Sequence, residues 1–264
     1  MLRLKMNKFQ KLGFSIFVAF FVFAVVFSYV VNSSLFEKST KPWHMQPFID
    51  EDSLSAPYLS RYDVLQSLNG FVFNIDPSRK VVRILVDAWG VPFDELLLEE
   101  DFAVFDNVPH KEYLHVRKAN RTRHAEFAEL RIFVDSTALH SGIYLFGGDS
   151  LEYGRNIYID SLGYWQKFFC QKCADSAMVA VLDSVLTTLA SDSASSVKHI
   201  AWTTQNSRDG NRAKLRATLR QIADVARKHP EVRFIVQGTH RPILGDPKIR
   251  RESFAHWVPA LVIN

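Results

Sequence analysis

Two cysteines in 264 residues are too few for a disulfide framework, and with no second pair near them they exclude a thiolate-based structural zinc site. The chain has no internal repeat, so repeat architectures do not apply. It also lacks any Arg/Lys stripe interleaved with aromatics, the pattern that single-strand nucleic acid binders use. The net charge is +4 and part of that excess lies in the N-terminal tail, so no nucleic acid partner is expected. What is present is ordinary for a globular protein, with 47% hydrophobic and 23% charged residues. The length allows an anchor and one medium domain with a full core.

Leu12–Val31 is an uncharged apolar run. About twenty such residues suffice for one helix across a bilayer. Arg3, Lys5, Lys8 and Lys11 precede the run, so the N-terminus is expected in the cytoplasm and the rest of the chain is expected to be exported. A cleaved signal peptide is the rival reading, but the run is long for one and ends in YVVNSS, a poor cleavage site. The expected organisation is a tail and single-pass cell-membrane anchor over 1–33, a Ser- and Pro-rich linker over 34–60, and an exported domain over 61–264.

Within that domain, Val81–Val86 is an apolar, β-branched run broken only by Arg83, which predicts a buried strand. Ile143–Phe146, Trp165–Phe169, His199–Trp202, Phe234–Val236 and Val258–Ile263 read as further strands. Tyr62–Leu68 reads as a short helix or a lead-in segment, and helical spacing marks Phe93–Glu100, Arg123–Arg131, Leu151–Leu162 with a stop at Gly163, Asp175–Leu189 and Arg212–Lys228. Strands alternating with helices predict an α/β fold, a mainly parallel sheet with helices on both faces.

Three polar stretches stand where such a sheet places its ligands. Asp87 ends the first confident strand and is followed by Trp89, Gly90 and Pro92. Thr122 opens the stretch TRHAEFAEL at a helix start. Gly238-Thr239-His240-Arg241-Pro242 follows the strand Phe234–Val236. An acid, a hydroxyl and an imidazole so placed can converge on one ion or one phosphate.

The order of these motifs resembles the alkaline phosphatase-like superfamily, in its membrane-anchored sulfatase-like branch of phosphoethanolamine transferases and lipoteichoic acid synthases. ILVDAWGVP resembles the family's acidic first-strand motif, and Thr122 with Glu126 fits its nucleophile stretch. Leu162-Gly163-Tyr164, Thr203–Arg208, Gly238–Pro242 and Val258–Ile263 look like the family's LGY, TTxNSH, GDHRP and VPxxI segments. The resemblance implies an alkaline phosphatase-like fold and a phosphotransferase or hydrolase acting on envelope lipid or glycan phosphate esters. It implies Thr122 as nucleophile, a divalent metal (zinc or manganese) on Asp87, Thr122 and His240, and Arg208 with Asn206 on the substrate phosphate.

Two departures cut across it. Thr239 stands where the family has Asp, and Arg208 where it has His. The first removes a hard anionic ligand. An inactive relative serving as a scaffold or binding module in envelope assembly is therefore the alternative.

Plainer roles stay open for the same residues. Asp87 can cap the next helix and Thr122 its own, with Glu126 an ordinary first-turn acid. Arg208 beside Asp209 can be a surface pair, and the acidic run Asp94–Asp101 a solvated face. Cys170 and Cys173 form a CxxC pair that reads first as a local disulfide in an exported domain, ahead of a redox motif.

Overall fold

The computed structural model describes residues 53–54, 56–65, 79–117, 121–131, 142–149, 154–192, 195–205, 210–243 and 252–263. All of them lie in the compact unit Asp50–Asn264. The apolar run Leu12–Val31 and Asn206 and Arg208, expected on the substrate phosphate, lie outside the described residues. Among the described residues, no helix is long and apolar enough to cross a membrane.

The elements in chain order are α1 (Ala56–Arg61), β1 (Asp63–Leu65), β2 (Val81–Val86), α2 (Glu95–Phe102), β3 (His110–Val116) and α3 (Thr122–Glu129). Then follow β4 (Gly142–Phe146), α4 (Arg155–Ser161), β5 (Tyr164–Phe169), α5 (Asp175–Ser191), β6 (His199–Thr203), α6 (Arg212–Lys228), β7 (Arg233–Gly238) and β8 (Trp257–Ile263). One eight-stranded sheet has the order β1-β3-β8-β7-β2-β6-β4-β5. Its pairings are parallel except for β8, which runs antiparallel to both β3 and β7.

Every residue of β2 is buried, as a strand covered on both faces requires. Side-chain alternation sorts its neighbours. Val82, Ile84 and Val86 pack with Met178, Leu182 and Leu186 of α5 and with Leu219 and Ile222 of α6. Leu85 faces the other way, against Ala125 of α3 and Ile159 of α4. Helices therefore cover both faces, as the pattern predicts.

The sequence reading needs four corrections here. Ala56–Ser60 falls in the stretch read as linker but belongs to α1, because Tyr58 is buried, donates to the Pro92 carbonyl at 2.6 Å and packs edge-on against Phe254. Tyr62–Leu68 reads as a helix or lead-in, yet Asp63–Leu65 is a short strand beside β3. Strand β3 itself has no counterpart in the reading. The acidic run is not a plain solvated face. Asp94 caps α2 by accepting from the Leu96 amide at 3.0 Å, while Asp101 is fully buried. Asp101 accepts from Trp89 Nε1 at 3.1 Å, from Arg216 Nε at 2.9 Å and from Arg212, which ties α2 and the turn after β2 to α6.

Other local signals agree with the structure. Gly163 takes φ +100° after α4, where its amide bonds the Asp160 carbonyl at 3.0 Å. Cys170 and Cys173 are joined as a disulfide.

Candidate active site

Strands β7, β2 and β6 lie side by side and parallel, so their carboxyl ends open on one crevice. Asp87 follows β2, Thr204 follows β6, and Thr239 with His240 follows β7. The three strand ends are stitched together by backbone bonds, Thr204 N–H to the Leu85 carbonyl at 2.9 Å and Thr239 N–H to the Val86 carbonyl at 3.1 Å. Helix α3 brings Thr122 over the same crevice from the second face.

Asp87 is 1% exposed, and its Oδ1 is the meeting point. It accepts from Thr122 Oγ1 at 2.8 Å and from Thr239 Oγ1 at 2.9 Å, and His240 Nε2 stands 3.3 Å away. Thr122 Oγ1 and His240 Nε2 are themselves 3.3 Å apart. His240 Nδ1 lies 2.7 Å from the Arg241 carbonyl, so that nitrogen carries the proton and Nε2 turns to the crevice. The acid, hydroxyl and imidazole singled out in the sequence are thus in mutual contact.

Two of the plainer roles do not hold. The cap of α2 is Asp94, not Asp87. Thr122 is the first residue of α3 rather than its N-cap, which is Arg121 with no side-chain cap bond.

The turn that presents Asp87 is tightly made. Ala88 has φ +59°, a left-handed conformation that a side chain resists, and its amide donates to Thr239 Oγ1 at 3.1 Å. The Asp87 amide donates to Thr204 Oγ1 at 3.0 Å. Gly238 has to be glycine, since a Cβ there would stand 1.8 Å from the Trp89 carbonyl oxygen.

Glu126 lies one helical turn after Thr122, so both point the same way from α3. It is fully buried and accepts from Tyr144 at 2.7 Å, Thr203 at 2.8 Å and Arg155 Nε at 3.3 Å on Oε1, and from Tyr158 on Oε2. Burial first, then the Glu126 charge, pushes the Tyr144 phenol well above its ordinary value and the Tyr158 phenol up as well. Both phenols stay protonated and donate. The Arg155 guanidinium also stacks 3.7 Å over the Phe146 ring. Glu126 is therefore a fastener between α3, α4, β4 and β6, not a first-turn acid. Its partners Tyr144, Arg155 and Tyr158 carry no local sequence signal, because they lie on β4 and α4, away from α3 in the chain.

Asp87 Oδ1, Thr122 Oγ1 and His240 Nε2 fit a small divalent ion. Ligand atoms bonded at about 2 Å around a tetrahedral ion stand about 3.3 Å apart, near the separations here of 2.8, 3.3 and 3.3 Å. One carboxylate, one imidazole and one hydroxyl are donors that zinc and manganese accept. Among the described residues no three His, Cys, Asp or Glu side chains gather at one point, so Thr122 has to complete the set.

No protein-family profile matches this sequence, and no curated protein does. Solved structures do match in fold. A Vibrio parahaemolyticus protein in the alkaline phosphatase superfamily is 11% identical, with TM-score 0.48 over 70% of this chain and 60% of that one. The lipoteichoic acid synthase LtaP from Listeria monocytogenes is 6% identical, with TM-score 0.45 over 70% of this chain and 65% of that one. The C-terminal periplasmic domain of EcEptC from Escherichia coli is 11% identical, with TM-score 0.47 over 70% and 72%. This chain spans less than two thirds of the first two, and at such identities the likeness is one of fold.

Proposed function

We propose that the chain is a membrane-anchored phosphotransferase or hydrolase that acts on phosphate esters of the cell envelope through Thr122. The observation that carries this is the Thr122 hydroxyl, held 2.8 Å from the buried Asp87 carboxylate and 3.3 Å from His240 Nε2. A hydroxyl becomes a useful nucleophile when a neighbour is placed to accept its proton, and Asp87 Oδ1 is so placed for this one.

In the first half-reaction Thr122 Oγ forms a bond to phosphorus and the ester oxygen leaves with the electron pair of the broken P–O bond. The Thr122 proton moves along its hydrogen bond towards Asp87 Oδ1. In the second half-reaction water or a glycan hydroxyl takes the phosphoryl group and Thr122 regains a proton. Asp87, Thr122 and His240 would hold a divalent ion, zinc or manganese, whose contribution when bound is Lewis acidity at the nucleophile and at the phosphate oxygens. Glu126 keeps α3 oriented so that Thr122 faces the crevice. Arg208 and Asn206 are assigned to the phosphate oxygens, a task that suits the planar guanidinium fork. The run Leu12–Val31 supplies the single-pass anchor, with the catalytic domain exported.

The test is turnover of a chromogenic phosphodiester such as bis(p-nitrophenyl) phosphate by the full chain with zinc or manganese. Wild type turns it over, and Thr122→Ala loses about a thousandfold or more in kcat. Equal rates in the two proteins would overturn the assignment of Thr122.

One observation favours a second reading. Thr239 donates its hydroxyl into Asp87 Oδ1 instead of presenting a second carboxylate. A non-catalytic module that binds envelope phosphates and performs no turnover fits that replacement, and absence of turnover with every diester and ion tried would favour it.

A further inference from the structure

Strand β5 ends at Phe169, and the turn that leads from it to α5 is closed by the Cys170–Cys173 disulfide. Both cysteines are half-buried, while Gln171 and Lys172 between them are exposed, so a small thiol can reach the bridge. Lys172 has φ +64°, a left-handed conformation that a side chain resists, so the closed turn holds strain that an open one releases. The stabilisation a disulfide brings grows with the length of chain it closes, and this one spans a separation of only three residues. Little of the stability of the whole domain therefore rests on it. Accessible bridges under strain are the ones that exchange with thiols.

Two routes lead from this turn to the crevice. On one side the Cys170 amide donates to the Phe146 carbonyl at 3.0 Å, at the end of β4. The Phe146 ring carries the Arg155 guanidinium, and Arg155 Nε donates to Glu126, which fastens α3 and so Thr122. A Cβ on Gly147 would stand 2.7 Å from the Cys173 carbonyl oxygen, so the turn lies directly against the residue that follows β4. On the other side Asp175 opens α5 two residues after Cys173 and is 1% exposed. Its Oδ1 accepts from the Gln205 amide at 2.9 Å. Gln205 follows Thr204, whose Oγ1 accepts from the Asp87 amide at 3.0 Å.

We propose that Cys170–Cys173 is a thiol–disulfide exchange site whose state sets the order of the crevice. A thiolate of a dithiol reductant bonds to one of the two sulfurs, and the Cys170–Cys173 bond breaks with its electron pair on the other. The second thiolate of the reductant then displaces the first. This leaves a disulfide in the reductant and two thiols here, with two electrons and the reductant's two protons passed to Cys170 and Cys173. The opened turn lets Lys172 leave the left-handed region, and the start of α5 loosens with it. Asp175 then loses its hold on Gln205, and Thr204 its register with Asp87. That the exchange governs catalysis rests on the proposed role of the crevice; the coupling itself does not.

The test is amide hydrogen exchange of the full-length chain, read at single residues by mass spectrometry before and after reduction with dithiothreitol. Reduction speeds exchange at the Gln205 amide about tenfold or more, leaves the Ile84 amide in the central strand unchanged, and is reversed by oxidised glutathione. The double variant Cys170→Ser, Cys173→Ser shows the fast Gln205 exchange without reductant and no response to it. A bridge that dithiothreitol does not open overturns the proposal, as does Gln205 exchange that ignores reduction. Equal acceleration at Ile84 also overturns it, because the bridge would then hold the whole fold. The wild-type comparison decides the matter even if the double variant does not fold. Turnover with Gln205 indifferent to reduction would sink this proposal alone. Redox-dependent Gln205 exchange in a chain that turns nothing over would leave the coupling and remove the enzymatic reading.

Discussion

Thr122 Oγ1 donates to Asp87 Oδ1 at 2.8 Å across a sequence separation of 35 residues. The pair joins the first turn of a helix on one face of the sheet to the end of the strand at its centre, so its geometry depends on whatever fixes α3 to the sheet.

Glu126 is that fixture. Replacing it with alanine leaves Arg155, 1% exposed, without its carboxylate, and leaves buried phenol and hydroxyl groups without an acceptor. Breaking a buried pair of this kind costs about 3–5 kcal/mol. Glu126→Ala is expected to lower the unfolding free energy read from a urea titration by an amount in that range, and phosphoester turnover falls further than the loss of folded protein accounts for. A loss under about 1 kcal/mol would show that the network is not what holds α3.

Asp101 joins α2 to α6 and also receives the Trp89 indole. Its arginine partners keep some contact with solvent, with side chains 24% and 20% exposed, so the cost of losing the charge is smaller than at Glu126. Asp101→Asn is expected to destabilise by about 1.5–3 kcal/mol, measured by chemical unfolding. Because Trp89 donates its indole N–H to Asp101, the substitution is also expected to shift tryptophan emission.

Ala88 carries backbone strain at the site. A non-glycine residue in the left-handed region costs about 1–2 kcal/mol, and glycine returns part of that gain through its freer unfolded chain. Ala88→Gly is expected to stabilise the fold by a net of about 0.5–1 kcal/mol in thermal unfolding. Ala88→Val moves in the opposite direction, since a β-branched side chain suits φ +59° least. A destabilised Ala88→Gly would mean that the turn is not held at positive φ.

His199 gives the fold an acid sensitivity. Burial, and then the Arg83 charge, depress its pKa to about 4 from an ordinary value of 6.5. The folded state therefore keeps the ring neutral while the unfolded chain takes up a proton. Stability is unaffected above pH 6.5, falls as the pH drops from there towards about 4, and falls no further through this group below that. His199→Gln is expected to flatten that part of the stability-pH curve. An unchanged slope between those limits would show that His199 titrates normally in the fold.

Much of this was legible in the sequence because it was local. Val81–Val86 is apolar except for Arg83 because β2 is covered on both sides, and the strand ends where Asp87 and its turn begin. The helix after Thr122 and the Gly163 stop follow from spacing and from glycine's tolerance of positive φ. Strand β3 was hidden because HKEYLHV mixes polar and apolar residues on both faces. His110, Lys111 and Glu112 reach partial or full solvent exposure, while His115 is buried 3.8 Å from Glu129. No local rule shows that β8 would run antiparallel, since that depends on which strands it lies between. The role of Thr239 was hidden for a similar reason. In sequence it is a lost acid, and only the fold shows its hydroxyl bridging Ala88 and Asp87.

The most direct test is to quench the full-length chain during turnover of a phosphodiester and sequence its peptides by mass spectrometry. The account predicts a phosphoryl adduct on the Thr122 hydroxyl that is absent from Thr122→Ala and disappears when the substrate is exhausted. Turnover with Thr122 unmodified throughout, or with the adduct on another residue, would contradict it.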